Sequence, residues 1–201
     1  MMKLFYTPGA CSLSPHMVLC EAGIHFDLEK VDLAAKKTEH GDDYLKVNPK
    51  GQVPALLLDN GNLLTEGAVI VQYIANHASS KHLMPPQDDF KYYEALEWLN
   101  YIATELHKGF SPLFNPKFPE DLKQATRKQL EKKLAYLDSQ LNHKDFLLGE
   151  QINVADFYLY TILTWAKKMN LELASLANLT HFIQTMEERP TVKAALAAEK
   201  K

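Results

Sequence analysis

The first 22 residues predict a strand, a tight turn and a helix, and this order constrains the fold of the region that follows. Residues 3–6 form the predicted strand, and Pro8 and Gly9 mark the turn. Apolar residues then recur at roughly helical spacing over residues 12–22. We therefore expect the chain to be organised around a strand that leads directly into a helix.

Cys11 lies at the first turn of this predicted helix. The unpaired N–H groups and the positive end of the helix dipole favour a thiolate over a thiol at such a position. The thiolate is the nucleophilic form, so Cys11 is a candidate reactive residue. The alternative is that Cys11 is a small buried apolar residue, as most free cysteines are.

The rest of the first half continues the alternation of strands and helices. Alternating apolar residues predict a second strand over residues 25–32, and the polar residues 34–40 predict a surface connection. Residues 41–47 predict a short helical turn. Two more strands are predicted at residues 55–58 and 63–64, because an Asn-Gly hairpin signal separates them. With the helix that follows, the order is β-α-β-α-β-β-α.

The last helix of this half begins beside a candidate ligand site. Thr65 is its predicted N-cap, and Glu66 lies at the helix start. Such an end offers N–H donors to anions, and a free carboxylate beside it can hold an ammonium group. The alternative is that Glu66 only matches the helix dipole. Nearby, Val53-Pro54 directly precedes a predicted buried strand, where a proline removes a hydrogen-bond donor from the sheet. A cis Val53-Pro54 peptide bond is one interpretation of this position.

After a proline-containing linker at residues 83–87, the sequence predicts helices only. Apolar residues over 95–110 form one face of a long helix. Asn100, Thr104 and His107 lie on another face, for which simple solvation is the alternative interpretation.

Four more helices are predicted after this long one, and the clearest helix start is at Asn153. Its side chain can cap the helix, and Asp156 stands three residues later, as in a capping box. The helix from Asn153 is apolar over much of its circumference, so it is predicted to be the buried central helix of this half. The last helix begins at Pro190.

Composition and charge restrict the function. The chain has 201 residues and a net charge of −3, and its basic residues are dispersed, so nucleic-acid binding and an electrostatic membrane anchor are not expected. No apolar run is long enough to span a bilayer, and no secretory signal is present. Two cysteines give no disulfide framework, which favours the reducing cytoplasm.

Taken together, these segments resemble a glutathione S-transferase, and specifically the bacterial beta class. The resemblance covers the whole chain. It is carried by the Tyr6–Cys11 turn, residues 48–56 (Asn-Pro-Lys-Gly-Gln-Val-Pro-Ala-Leu), residues 64–67 (Leu-Thr-Glu-Gly), residues 97–101 with 104–108, and the Asn153–Asp156 capping box.

The resemblance implies the glutathione transferase fold. In that fold an α/β thioredoxin-like N-terminal domain, here residues 1–81, binds glutathione. An all-α C-terminal domain, here residues 87–201, contributes the electrophile pocket. The resemblance also implies a homodimer, with the glutathione site in the cleft between the two domains.

The resemblance further implies which residues bind glutathione. The Val53 backbone, ahead of a cis bond to Pro54, would pair with the cysteinyl backbone like an added strand. Glu66 and the Gly67 N–H would hold the ammonium and carboxylate of the γ-glutamyl end, and Lys36 would pair with the glycyl carboxylate. The full set of implied glutathione-binding residues is Cys11, Lys36, Gln52, Val53, Glu66, Gly67, Asn100, Thr104, Glu105 and His107. Of these, Asn100, Thr104 and Glu105 would reach glutathione partly from the neighbouring subunit. The wider family usually has serine in place of Gly67, so here one hydroxyl ligand is lost.

Cys11 is the class marker and, with His107, an implied catalytic residue. Cys11 can form a mixed disulfide with glutathione, and His107 and Lys108 would lie near the sulfur, where positive charge favours thiolates. Tyr6 sits where other classes keep a catalytic tyrosine, on which the beta class does not depend. The candidate electrophile pocket consists of Tyr6, Phe110 and Trp165. Glutathione is a co-substrate in this chemistry, and no cofactor and no metal are expected.

Three functions are compatible with these residues. The leading hypothesis is a transferase that conjugates glutathione to an electrophilic, largely apolar small molecule. The alternative is glutathione-dependent thiol–disulfide or peroxidase chemistry through Cys11, because Cys11-Ser12-Leu13-Ser14 has the shape of a redox motif whose resolving cysteine is now serine. A non-catalytic carrier or interaction module is a third hypothesis, and retention of the glutathione ligands argues against it.

Overall fold

The computed structural model describes residues 1–79 and 83–200. The chain divides into two compact units. The described residues of 1–83 and 189–201 form one, called the sheet unit here, and Met84–Glu188 form the other, called the helical unit. The predicted boundary at residue 81 lies outside the described residues. The predicted domain of residues 87–201 follows chain order, whereas the structure groups the last helix with the sheet unit.

A five-stranded mixed sheet forms the centre of the sheet unit. Its strands are β1 Met2–Tyr6, β2 Phe26–Asp32, β3 Lys37–Thr38, β4 Ala55–Leu57 and β5 Leu63–Thr65, and their order in the sheet is β3-β2-β1-β4-β5. The central strand β1 runs parallel to β2 and antiparallel to β4, and Leu4 lies opposite Leu28 and Leu56. β2–β3 and β4–β5 are antiparallel pairs.

The two-residue strand β3 lies within residues 34–40, for which the sequence predicts only a surface connection. Thr38 pairs with Val31 and Lys37 pairs with Asp32. The side chain of Thr38 is buried although the residues around it are polar and exposed. A strand this short carries too few residues to produce an alternating pattern.

Three α-helices complete the sheet unit. They are α1 Leu13–Ala22, α2 Gly67–His77 and α8 Pro190–Ala198. α1 packs against both α2 and α8. It ends at Gly23, whose φ of 65° is the left-handed conformation that glycine adopts without penalty, as the sequence predicts. The predicted helical turn before β4 is a 3₁₀ turn, Tyr44–Lys46.

The helical unit contains five α-helices and an unpredicted π-helical segment among its described residues. The segment, Ile102–His107, interrupts what the sequence predicts as one long helix. Ile102, Leu106 and Phe110 are all fully buried. These three residues are spaced four apart, and the segment Ile102–His107 is wider than an α-helix because its hydrogen bonds join residues five apart. The elements are α3 Phe90–Tyr101, the π segment, a 3₁₀ turn Lys108–Phe110, α4 Ser111–Phe114, α5 Glu120–Gln140, α6 Val154–Lys168 and α7 Ala177–Glu188.

Helix α6 is the buried centre of the helical unit, as predicted. Every residue from 152 to 163 is buried. The predicted capping box is present: the Asn153 side chain accepts the Ala155 N–H at 2.9 Å, and Asp156 accepts the Asn153 N–H at 2.8 Å. In the part of the chain that the structure describes, no helix is both long and apolar enough to cross a membrane. The thioredoxin-like sheet followed by helices confirms the predicted fold class.

Candidate functional site

Cys11 lies in the turn that connects β1 to α1 and is partly exposed. The turn is closed by hydrogen bonds from the Ala10 N–H to Thr7 O at 3.0 Å and from the Leu13 N–H to Ala10 O at 3.1 Å. The predicted helix start at Ser12 is one residue early. Ser12 occupies the N-cap position, but its side chain does not cap the helix. Cys11 therefore stands immediately before the N-terminus of α1.

The Cys11 thiol contacts the backbone of a second loop. Its Sγ donates to the Val53 carbonyl oxygen at 3.2 Å. The Val53-Pro54 peptide bond is cis, as the resemblance implies. Val53 itself is buried in a cluster with Phe5, Tyr44 and other sheet residues. The structure thus joins two predicted site residues, Cys11 and Val53, that are far apart in the sequence.

A hydrogen-bond network fixes the Cys11 turn to the sheet. Ser12 Oγ accepts the Thr7 N–H and donates to Thr7 O, both at 3.2 Å. The Thr7 hydroxyl donates to Val31 O at 2.7 Å. Ser12 is fully buried, so these bonds are protected from water. The serine next to Cys11 therefore orders the turn rather than capping α1.

A carboxylate just beyond α8 also holds the turn. Glu199 Oε2 accepts the Gly9 N–H at 2.9 Å, and Glu199 Oε1 lies 3.0 Å from His16 Nδ1. Both side chains are almost completely buried. Sequence reasoning missed this pair, because Gly9 and Glu199 are 190 positions apart and no local pattern connects them. The C-terminal segment therefore supports the turn that carries Cys11.

The loop ahead of Val53 is held by its own side chains. Lys36 Nζ donates to Gly51 O at 2.7 Å. The Tyr44 hydroxyl and the Asn48 amide donate to Gln52 O at 2.8 and 2.7 Å. The Gln52 side chain is exposed. Its backbone is therefore fixed while its amide is accessible to a ligand.

Glu66 has a positive φ of 69°, which is uncommon for a residue other than glycine. It directly precedes α2, and its carbonyl accepts the N–H groups of Val69 and Ile70, both at 2.9 Å. The prediction that Thr65 is the N-cap is wrong, because Thr65 ends β5 and Glu66 takes that position. The Glu66 side chain does not cap the helix and is exposed.

The Glu66 carboxylate already binds an ammonium group within the protein. Lys50 Nζ lies 2.6 Å from Glu66 Oε1 and donates to Thr65 Oγ1 at 2.9 Å. Gly67 follows as the first residue of α2. A Cβ at Gly67 would lie 3.6 Å from Pro54 Cγ, an ordinary contact, so space alone does not require glycine there.

His107 is the last residue of the π segment and is partly buried against α6. Its Nδ1 lies 2.7 Å from the Tyr158 hydroxyl. The ring of Trp165 approaches it edge to face, with centroids 4.9 Å apart. His107 is thus part of a packed aromatic contact and not of a solvated helix face, which was the alternative interpretation.

The other predicted site residues of the helical unit are exposed. The Thr104 hydroxyl donates to Asn100 O at 3.0 Å. Glu105 pairs with Lys133, with 2.8 Å between its Oε2 and the lysine Nζ. Lys108 is exposed as well. Their roles toward glutathione stay predictions.

The three residues predicted for the electrophile pocket are all buried. Tyr6 belongs to the core of the sheet unit, where burial, and then the charges of Glu39 and Glu199, raise its pKa. Phe110 and Trp165 contact each other in the helical unit with centroids 5.9 Å apart. Phe114, for which the sequence carries no functional signal, packs on Trp165 with ring centroids 5.1 Å apart and is 43% exposed. Phe114 is therefore the accessible member of this aromatic cluster.

A cavity of about 400 Å³ lies in the helical unit and contains none of the predicted site residues. Trp98, Tyr101 and Tyr136 line it, together with residues of the 144–148 loop. Burial, and then the neighbouring Tyr136 and Glu105, raise the pKa of Tyr101. Over residues 1–79 and 83–200, no group of three or more His, Cys, Asp or Glu side chains is placed to hold a metal ion.

The chain matches two family models and several known proteins. The models are the glutathione S-transferase N-terminal domain at residues 9–77 and the glutathione S-transferase C-terminal domain at residues 101–190. Glutathione S-transferase GstA of Escherichia coli O157:H7 is 53% identical over 198 residues, which is 98% of each chain.

Two solved structures of glutathione S-transferases are also similar to this chain. A sphingomonad glutathione S-transferase complexed with glutathione superposes with a TM-score of 0.95 at 42% identity, covering 98% of each chain. The bacterial beta class glutathione S-transferase of Sphingomonas chungbukensis has a TM-score of 0.94 at 42% identity, again over 98% of each chain.

Proposed function

The chain belongs to the glutathione S-transferase family, with the bacterial beta class among its structural neighbours, and we propose that it conjugates glutathione to electrophilic, largely apolar small molecules. The observation that carries this proposal is the contact between the Cys11 thiol and the Val53 carbonyl, 3.2 Å apart. It places a cysteine beside the backbone that the resemblance assigns to the cysteinyl residue of glutathione.

Each part of glutathione has a proposed partner in the sheet unit. The Val53 backbone pairs with the cysteinyl backbone, as in strand addition. Glu66 holds the γ-glutamyl ammonium, and the Gly67 N–H, at the positive end of α2, holds the γ-glutamyl carboxylate. Lys36 holds the glycyl carboxylate. The Lys50–Glu66 pair supports this assignment, because it shows that an ammonium group fits beside the Glu66 carboxylate.

The chemistry requires a thiolate and a leaving group. Glutathione loses its thiol proton to solvent, the sulfur forms a bond to the electrophilic carbon, and the leaving group departs with the electron pair of its bond. Cys11, His107 and Lys108 are the proposed groups that favour the anionic sulfur. Asn100, Thr104 and Glu105 are proposed to contact glutathione, partly from a second subunit of a homodimer. Glutathione is the co-substrate, and the cytoplasm is the proposed location.

A steady-state assay with glutathione and a generic aryl halide tests the proposal. We expect turnover above the uncatalysed rate, and Glu66→Gln should raise the KM for glutathione because the ammonium loses its counter-charge. Glu150→Gln, at an exposed position in the helical unit, is the matched control and should leave the KM unchanged. Absence of turnover with several electrophiles would contradict conjugation. Absence of glutathione binding by calorimetry would favour the non-catalytic module.

Thiol–disulfide chemistry is the alternative proposal, because Cys11-Ser12-Leu13-Ser14 has the spacing of a redox motif. The Ser14 hydroxyl, three residues after Cys11, is buried and has no hydrogen-bond partner among the described residues. It stands where a resolving cysteine would stand in a redox motif. In this chemistry the Cys11 thiolate takes the glutathionyl group from a mixed disulfide and releases the substrate thiol. A second glutathione then displaces Cys11 and leaves as glutathione disulfide.

A Cys11→Ser variant separates the two activities. If the redox chemistry operates, the variant loses reduction of glutathione mixed disulfides and keeps some conjugation. Ser12→Ala is not a suitable control because Ser12 orders the turn, so Cys20→Ser, the substitution of the second cysteine, serves instead. If both activities survive unchanged in Cys11→Ser, Cys11 is not the catalytic thiol.

A further inference from the structure

Helix α6 carries Tyr158, a residue that the resemblance does not mention and that contacts His107 of the π segment. Tyr158 lies near the middle of the buried helix α6 and is only 4% exposed. Its hydroxyl oxygen and His107 Nδ1 are 2.7 Å apart, a short and well-formed hydrogen bond. A buried hydrogen bond to one nitrogen of a histidine decides which nitrogen carries the proton.

The direction of this bond follows from the basicity of the two groups. A neutral imidazole binds a proton with a pKa of about 6.5, whereas a phenol keeps its own proton up to about 10. The imidazole nitrogen is therefore the better acceptor and the phenol the better donor. When Tyr158 donates to Nδ1, the single proton of the neutral ring is on Nε2.

Trp165 adds an orientation to this protonation state. The two rings of His107 and Trp165 meet at an angle of 73° with centroids 4.9 Å apart. Tyr158 and Trp165 are seven residues apart on α6, about two helical turns, so both project from the same face. The π segment carries His107 to this face. Two charged residues are close to it in sequence, Glu105 of the same segment and Lys108 of the 3₁₀ turn that follows. Both are exposed, and Glu105 is paired with Lys133 of α5.

We propose that Tyr158 is a positioning residue for His107. Its hydroxyl keeps the neutral ring in the tautomer with the proton on Nε2, and Trp165 fixes the plane of the ring. The inference rests on the proposed function, in which His107 favours the anionic sulfur of glutathione. An Nε2–H group can donate a hydrogen bond to that sulfur. A ring with its proton on Nδ1 would instead present the lone pair of Nε2, which cannot.

The test compares Tyr158→Phe with Tyr160→Phe by ¹⁵N NMR of the histidine rings. Both changes remove one phenolic hydroxyl from a buried position on α6. Tyr160 is two residues further along α6, so it lies on a different face. Of the eight histidines, His107 is assigned by the resonances missing from His107→Gln. The wild type and Tyr160→Phe should show the proton on Nε2, and Tyr158→Phe should show a mixture of tautomers.

Kinetics provide the second readout. Tyr158→Phe should lower kcat about fivefold, the equivalent of one neutral hydrogen bond, with the KM for glutathione unchanged. Tyr160→Phe should leave both constants unchanged. A wild-type spectrum with the proton on Nδ1 overturns the proposal even if Tyr158→Phe does not fold. Equal kcat values in the two variants would also overturn it. If the wild type does not turn over glutathione, the proposed function fails, and the spectra still decide the tautomer.

Discussion

Replacing Gly67 with serine should restore a ligand that the sequence lacks. The wider family usually has serine at this position, with its hydroxyl on the γ-glutamyl carboxylate. The structure has room for the change, because a Cβ at Gly67 would lie 3.6 Å from Pro54 Cγ. Gly67 is also the first helical residue of α2, where a side chain needs no unusual backbone angles. The Cβ of a serine can therefore be added without moving the cis-proline loop.

The expected gain can be worked out from one hydrogen bond. A bond to a charged acceptor contributes about 1.5–3 kcal/mol, and the lower end applies because the start of α2 is open to water. A gain of about 1.5 kcal/mol corresponds to roughly tenfold tighter binding of glutathione. Gly67→Ala supplies the Cβ without the hydroxyl, and its Kd should stay within about twofold of the wild type.

Isothermal titration calorimetry of the three proteins with glutathione measures this difference. A glutathione analogue whose γ-glutamyl α-carboxylate is an amide serves as the second control, and Gly67→Ser should gain little for it. Equal affinities of Gly67→Ser and Gly67→Ala for glutathione would refute the placement of the γ-glutamyl carboxylate at the start of α2.

Three further predictions concern stability and competition at the site. Asp156→Ala should destabilise the helical unit by about 3–6 kcal/mol, because this fully buried carboxylate accepts three N–H groups. The control Asp89→Ala removes an exposed cap with one hydrogen bond and should cost about 1 kcal/mol or less. Urea unfolding followed by tryptophan fluorescence measures both changes, since both tryptophans lie in the helical unit. Burial, and then the charge of Glu187, raise the pKa of Tyr160 to about 12, so between about pH 10 and 12 the unfolded state releases a proton that the native state keeps. Tyr160 alone should therefore lower the free energy of unfolding by about 2–3 kcal/mol over this range, and the fall measured by urea unfolding should be smaller by that amount in Tyr160→Phe. Lys50→Met should tighten glutathione binding by up to about fivefold in calorimetry. The reason is that the exposed Lys50–Glu66 ion pair, worth at most about 1 kcal/mol, no longer competes for the Glu66 carboxylate. Weaker binding by the variant would contradict this competition.

Local signals in the sequence predicted the elements that depend on neighbouring residues. The strand, turn and helix around Cys11 follow from residues within 20 positions of one another. The capping box needs only Asn153 and Asp156, which are three residues apart, and the structure contains it as predicted. The end of α1 at Gly23 follows from the backbone freedom of one residue.

Contacts between distant residues could not be predicted in this way. Glu199 reaches Gly9 and His16 across 190 and 183 positions, and a glutamate among C-terminal lysines carries no signal of burial. The π segment is a second case, because apolar spacing alone cannot distinguish a long α-helix from one with a wider turn. Phe110 is a third case: it is fully buried and contacts Phe114 and Trp165, and its residue type alone does not distinguish a core residue from one that lines a pocket.

A crystal structure of the protein grown with glutathione tests the central claim most directly. The predicted result is a tripeptide whose cysteinyl backbone pairs with Val53, whose ammonium replaces Lys50 Nζ at Glu66, and whose sulfur lies beside Cys11. Density for glutathione at some other place, with the Val53 backbone and Glu66 still in their present contacts, would contradict the account.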